Sequence, residues 1–399
     1  MDFDLTPDQE AMRDAGKRLV ERHITPVLER HPRDRALPKE ELRTMLHHFA
    51  GMGLTSARLP VAIGGSGISM LDYGIVFEQI PPAVALGLMS HEGSSARLYA
   101  DGNDEQRSRL LPDFIAGRKI FCTGSTEPDA GSDPRGIKTR LVQREGKLVL
   151  EGRKQWVSNI AVCDAILVTC LDCRDGRPGT RVVKVVLERE RSSFEAAHID
   201  MVGYQQGWLG EAVFDETPVF PENVVESARG GIEVLKASWG INRPLFSLSA
   251  VHLAQRAYDI AREYAGVRQQ FGQPIASRQL VQKNLSDIAT AIQTSRLLCY
   301  QALSMFDHGK GTEGMAAMAK RHAQNACREA IWQAMNLLGA MGLSIEARVE
   351  ALYRDVNMIA VGDGTNEILA LIHGREITGM EALRGPRAEA KTVNRASAD

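Results

Sequence analysis

Proline is missing from residues 275–385, although the 399-residue chain carries 16 prolines elsewhere. A proline inside a helix costs about 3 kcal/mol, so its absence over so long a stretch predicts a helical block. Long apolar runs are also missing: nothing approaches the ~18 residues that a membrane helix needs. The opening Met1-Asp2-Phe3-Asp4 is acidic and lacks the basic and apolar regions of a secretory signal. Six cysteines without a repeating spacing predict reduced thiols and a cytoplasmic setting. Cys170 and Cys173 are spaced as CxxC, but no second pair completes a zinc set, so both are expected on or just after a strand. Neither sign of charge dominates, with 48 Lys and Arg against 50 Asp and Glu. That removes the global electrostatic case for nucleic acid. The GxxxxGK[ST] phosphate loop and the HExxH zinc motif are lacking, and Gly309–Gly314, which has the GxGxxG spacing, follows a helical stretch and not a strand. Gly207-Trp208-Leu209-Gly210 is no nucleophile elbow.

The residues that are present divide the chain in three. With 44% hydrophobic and 25% charged residues the composition is that of a globular protein, and the length suits two or three units. Thr6-Pro7-Asp8-Gln9 reads as a capping box before apolar residues at helical spacing. A second helix is expected from near Pro38, carrying Leu42, Met45, Leu46 and Phe49. Asn103 and Gln106 cap a third. Residues 1–119 are therefore expected to form an α-helical domain. From 120 to 229 the signal changes to short strands, with a hairpin turn at Glu145-Gly146, and predicts an antiparallel β domain. Residues 230–385 return to helix, where Ile288, Ile292, Cys299, Leu303 and Phe306 share one face as core. A polar tail, 386–399, follows. The fold class is α+β in the order α, β, α.

The densest run of small and hydroxyl residues is Ser125-Thr126-Glu127-Pro128-Asp129-Ala130-Gly131-Ser132-Asp133, able to approach a planar heterocycle and a phosphate closely. On its own such a run is an ordinary surface turn. Four more segments follow it in order: Lys154-Gln155-Trp156-Val157-Ser158-Asn159, Arg268-Gln269-Gln270-Phe271-Gly272, Arg354-Asp355, and Gly362-Asp363-Gly364-Thr365-Asn366-Glu367-Ile368. With these five pieces the chain resembles the acyl-CoA dehydrogenase family over nearly its whole length.

The resemblance implies a three-domain fold with a C-terminal four-helix-type bundle, and FAD between the middle and C-terminal domains. It places Ser125 and Thr126 at the flavin pyrimidine edge, and Gly131 and Ser132 near cofactor or carrier phosphates. Trp156 falls beside the isoalloxazine, with Ser158 reaching flavin N5. Thr365 and Glu367 match the adenine side. Arg268, Phe271, Asn336 and Gly339 match positions that reach a neighbouring subunit's FAD, which implies a homo-oligomer, a tetramer or dimer. Otherwise Trp156 and Phe271 are ordinary aromatic core and Arg268 a surface ion pair. The chemistry implied is removal of the α-proton of an acyl thioester by a carboxylate while the β-hydride passes to flavin N5. Electrons then leave to an electron-transferring flavoprotein.

Asp363 stands where most members have Glu, one methylene shorter. Asn242 stands where a subgroup places its Glu, and Asn cannot be the base. Gly362 replaces an aromatic or large residue and, with Gly364, flanks Asp363 on the substrate side, leaving room for a branched, cyclic or bulky acyl group. Arg243 matches a position at the CoA end, which favours CoA over an acyl carrier protein. Asn336 stands for Gln and Ala340 for Gly, and Gly203–Glu211 lacks the usual run beside the carrier. The alternatives are an acyl-carrier-protein dehydrogenase, a nitroalkane-oxidase-like oxidase (weakened by Ala370 where that enzyme has Arg), and a non-catalytic FAD-binding subunit of a mixed oligomer.

Overall fold

The computed structural model describes residues 4–177, 179, 181–226 and 231–382; the expected polar tail lies outside them. The N-terminal helices are α1 (Pro7–Leu19), α2 (Thr25–Arg30), α3 (Lys39–Ala50), α4 (Met70–Phe77), α5 (Pro82–Asp101) and α6 (Asp104–Ile115). Both expected capping boxes form. Thr6 Oγ1 accepts from Gln9 N at 3.2 Å, and Asn103 Oδ1 accepts from Gln106 N at 2.8 Å, each returned by the glutamine carbonyl. A single π turn, Val20–Ile24, joins α1 to α2 just before Pro26, which has no N–H to continue a regular ladder. Leu42, Met45, Leu46 and Phe49 of α3 are fully buried, as their spacing predicts.

Eight strands follow: β1 (Phe121–Gly124), β2 (Arg140–Arg144), β3 (Lys147–Ser158), β4 (Ala165–Cys173), β5 (Val182–Glu188), β6 (Glu195–His198), β7 (Leu209–Val219) and β8 (Val224–Val225). They form one sheet in the order β6-β7-β3-β2-β4-β5-β8, with β1 also on β4. The β2–β3 hairpin turns at Glu145 and Gly146, both at positive φ, as a two-residue turn requires. One expectation needs correction. The sheet is mixed, because β4 runs parallel to β1 through Ala165–Val168 and parallel to β2 through Leu171–Cys173. These pairings join segments far apart in sequence, whereas local turn signals report only hairpins. Cys170 and Cys173 both lie on β4, and the described residues contain no cluster able to hold a metal.

The C-terminal helices are α7 (Gly231–Val267), α8 (Gln279–Asp307), α9 (Glu313–Leu337), α10 (Val349–Ile359) and α11 (Asn366–Thr378), with a small hairpin β9 (Gln269–Gln270) and β10 (Gln273–Pro274) after α7. Four of the five occupy the proline-free stretch. Ile288, Ile292, Cys299 and Leu303 are buried along α8, while Phe306 is half-buried at its end. The three parts share contacts. Helix α5 packs on both β1 and α7. His91 of α5 ties neighbouring elements by accepting from Phe121 N at 3.1 Å through Nδ1 and donating to Phe114 O at 2.9 Å. Across the other junction, Asp355 of α10 accepts from Tyr204 N at 2.7 Å. Arg354 donates to Val202 O and Gln205 Oε1. Burial pushes the Asp355 carboxyl up to about 6.

Candidate active site

Strand β3 carries the first part of the site. Its register against β7 shifts between Lys154 and Val157, and Trp156 adopts φ +59° on that bulge. The bulge turns the indole outward, 49% exposed, so Trp156 is not core. Beside it the Ser125-Thr126-Glu127 turn is clamped to the strand. Gln155 N donates to Thr126 O at 3.0 Å, and Lys154 Nζ reaches Ser125 O at 3.1 Å and Glu127 Oε1 at 2.7 Å. Burial opposes charge on Glu127, but Lys154 and the N–H groups of Lys138 and Thr139 hold its carboxyl below the usual range. Gly131 and Ser132 form an exposed lip, where a Cβ on Gly131 would meet only Thr126 Cγ2, at 4.0 Å. Ser158 sits at the strand's end, its carbonyl accepting from Ser90 Oγ of α5 at 3.2 Å.

Asp363 lies in the turn between α10 and α11 at φ +54°, a conformation that Asp tolerates better than most residues. The turn is held from behind by two buried cations. Arg243 Nε donates to the Asp363 carbonyl at 3.1 Å, and Lys320 Nζ donates to the Gly364 carbonyl at 2.8 Å. Asp363 Oδ2 is buried and has no hydrogen-bond partner. Thr365 caps α11, its hydroxyl accepting from Ile368 N at 3.4 Å, and Glu367 is exposed in the first turn. Gly362 changes its meaning here. A Cβ at this position would lie 2.8 Å from Phe246 Cε1, so the space is taken by Phe246 of α7 and not left for a bulky acyl group.

The surroundings of Asp363 contain charges that were not singled out in the sequence. Arg58 forks onto fully buried Glu92 of α5, with Nε 2.8 Å from Oε2 and backbone N 3.0 Å from Oε1. Burial opposes the charge on Arg58, but Glu92 more than offsets it. Asp363 also acts on Arg58, Arg97, Arg243 and Lys320. Burial draws Lys320 down to about 8 and Arg97 down to about 10. Asn242, beside Arg243, keeps its Oδ1 buried and unpaired. One signal could have exposed two of this set: between Pro82 and Leu98, Glu92 and Arg97 are the only Asp, Glu, Lys or Arg in a helix of small and apolar residues.

The remaining expected residues lie on the surface. Arg268 follows α7, and Phe271 tips the β9–β10 hairpin at φ +54° with 92% exposure, again not core. Arg278 steadies that hairpin by donating to the Gln270 and Phe271 carbonyls. Asn336 and Gly339 flank the end of α9 and are exposed. The structure thus brings Ser125, Thr126 and Trp156 together, and Arg243, Gly362, Asp363 and Gly364 together, and leaves four residues facing outward.

Comparison with known proteins gives this arrangement its context. Three family models match in order: the acyl-CoA dehydrogenase N-terminal domain over residues 6–118, the middle domain over 122–217 and the C-terminal domain over 229–378. A mitochondrial 2-methylacyl-CoA dehydrogenase of Solanum tuberosum is 30% identical over 385 residues, covering 94% of this chain and 91% of the relative. Cyclohex-1-ene-1-carbonyl-CoA dehydrogenase of Geobacter metallireducens is 30% identical over 382 residues, covering 94% and 98%. The solved structure of butyryl-CoA dehydrogenase from Megasphaera elsdenii superposes with a TM-score of 0.86 at 25% identity, covering 94% and 100%. The chain belongs to the acyl-CoA dehydrogenase family, as an FAD-dependent oxidoreductase acting on the CH–CH group of acyl-CoA.

Proposed function

We propose that the protein dehydrogenates an acyl-CoA between its α and β carbons, with Asp363 as the base that takes the α-proton. The observation that carries this reading is the buried, unpartnered Asp363 Oδ2 on a turn whose carbonyls are held by Arg243 and Lys320. A base must be both free to accept a proton and fixed in place. The Asp363 backbone N–H would serve as a donor to the thioester carbonyl as charge develops on its oxygen.

The chain also fits FAD. A half-exposed indole stands on a bulge beside the Ser125-Thr126 turn, and the Gly131-Ser132 lip is open to a ligand. Ser125, Thr126, Gly131, Ser132, Trp156, Ser158, Thr365 and Glu367 would hold it. When bound, FAD supplies the acceptor for the β-hydride. Arg268, Phe271, Asn336 and Gly339 would serve a neighbouring copy, which makes the working form a homo-oligomer. Reducing equivalents would leave to an electron-transferring flavoprotein, because a pocket closed to water and oxygen protects the reduced flavin.

The decisive variant is Asp363→Ala. It is expected to retain FAD while anaerobic bleaching of the flavin by acyl-CoA slows by roughly 1,000-fold, within the range for loss of a general base. Bleaching at the parental rate would remove Asp363 from the mechanism.

A further inference from the structure

Helix α5 presents a polar face to the site. A Cβ on Gly93 would lie 3.0 Å from Arg58 Nη2 and 3.9 Å from Asn242 Nδ2, so this face looks toward both residues. Arg97 is one turn further on, at i+4 from Gly93, and therefore lies on the same face. Its residue is 9% exposed and its Nε has no hydrogen-bond partner. Other buried atoms in the neighbourhood are also unpaired: Asn242 Oδ1, Arg243 Nη1, Tyr73 Oη and Asp363 Oδ2. Tyr73 belongs here because it acts electrostatically with Arg58 and Glu92.

The charges do not balance. Arg58, Arg97, Arg243 and Lys320 act with Glu92 and Asp363; Arg243 also feels Glu313, but Glu313 is committed to Arg375 and Glu92 to Arg58. Uncompensated buried charge is costly, and unpaired buried donors cost more than donors never buried. An uncharged alkyl chain entering here would leave the cost in place. A carboxylate would remove it, because a guanidinium matches a carboxylate in charge and fork geometry.

We infer that the acyl group carries an anion: the substrate is the CoA monothioester of a dicarboxylic acid, and Arg97 receives its free carboxylate beside the Arg58–Glu92 pair. This rests on the proposed function and names its substrate class. Arg97 determines specificity, whereas Arg243 and Lys320 position Asp363.

The test compares thioesters of equal carbon count on the FAD-loaded protein: glutaryl-CoA and adipyl-CoA against valeryl-CoA and hexanoyl-CoA. Binding is read by calorimetry and reaction by anaerobic flavin bleaching. The parent is expected to bind and react with the dicarboxylic thioesters roughly 100-fold better, as expected of a buried charge pair. Arg97→Leu should erase that preference and Arg97→Lys should recover part of it. Equal binding of the charged and neutral thioesters by the parent would overturn the inference, even with every thioester bleaching the flavin. So would an Arg97→Leu protein that keeps the preference for the charged thioesters, whether or not it retains FAD. If the charged thioesters bind preferentially through Arg97 and none bleaches the flavin, the carboxylate site at Arg97 stands and the dehydrogenase reading fails.

Discussion

Lys320 is a fully buried amine whose ammonium is bonded to the Gly364 carbonyl, one residue from Asp363. Burial lowers it from 10.5 to about 8, against the attraction of Asp363. A base depressed in the fold contributes stability above its unfolded pKa and loses it as pH falls through the folded value. The parent should therefore lose stability relative to Lys320→Met as pH falls from about 10.5 to 8, by on the order of 3 kcal/mol. Thermal melts of both proteins across that range check the sign; a constant gap between them would contradict it. Asp363 and Trp156 could be singled out in sequence because each sits inside a short motif. Arg58, Glu92, Arg97 and Lys320 were not singled out. They come from separate segments, and charged residues are ordinarily solvated, so only the apolar run around Glu92 and Arg97 hints at burial, and nothing local marks Arg58 or Lys320. Gly362 shows a different gap. Its small size was visible, but only packing reveals that Phe246 uses the space.

Helix α5 joins all three parts of the chain, and His91 is its fastening to the sheet. The ring is buried and pulled down to about 4 by desolvation, so it stays neutral and bridges Phe121 N to Phe114 O. With its pKa depressed from 6.5, the stability it contributes is complete above pH 6.5 and is lost as pH falls toward 4. His91→Gln can still donate and accept without titrating. Its melting temperature should fall less steeply than the parent's between pH 6.5 and 4; equal slopes would remove His91 as the cause. The helices α1, α3 and α6 were legible in sequence from capping boxes and apolar spacing, as was the β2–β3 hairpin from its Glu-Gly turn. The parallel pairing of β4 was not, because strand adjacency across distant segments leaves no local pattern. The bulge at Trp156 escaped for the same reason, since a bulge is defined by the partner strand.

At the scale of the molecule, the α, β, α order follows from the proline distribution and strand signals, and shared contacts make the three parts one body. Phe271, almost fully exposed at positive φ, is a costly residue for an isolated surface. Phe271→Asp is expected to reduce both the assembled mass by light scattering and the FAD retained per chain. Unchanged mass and FAD content would argue against a shared cofactor site. The buried cations have a consequence in time. The chain's formal net charge is only -2, so its surface exerts little long-range pull on an anion. Arg58 and Arg97 lie inside, where dissolved salt screens them weakly. Preference for a charged acyl group would then be written in how long a ligand dwells, with arrival rates alike for charged and neutral thioesters and little altered by ionic strength.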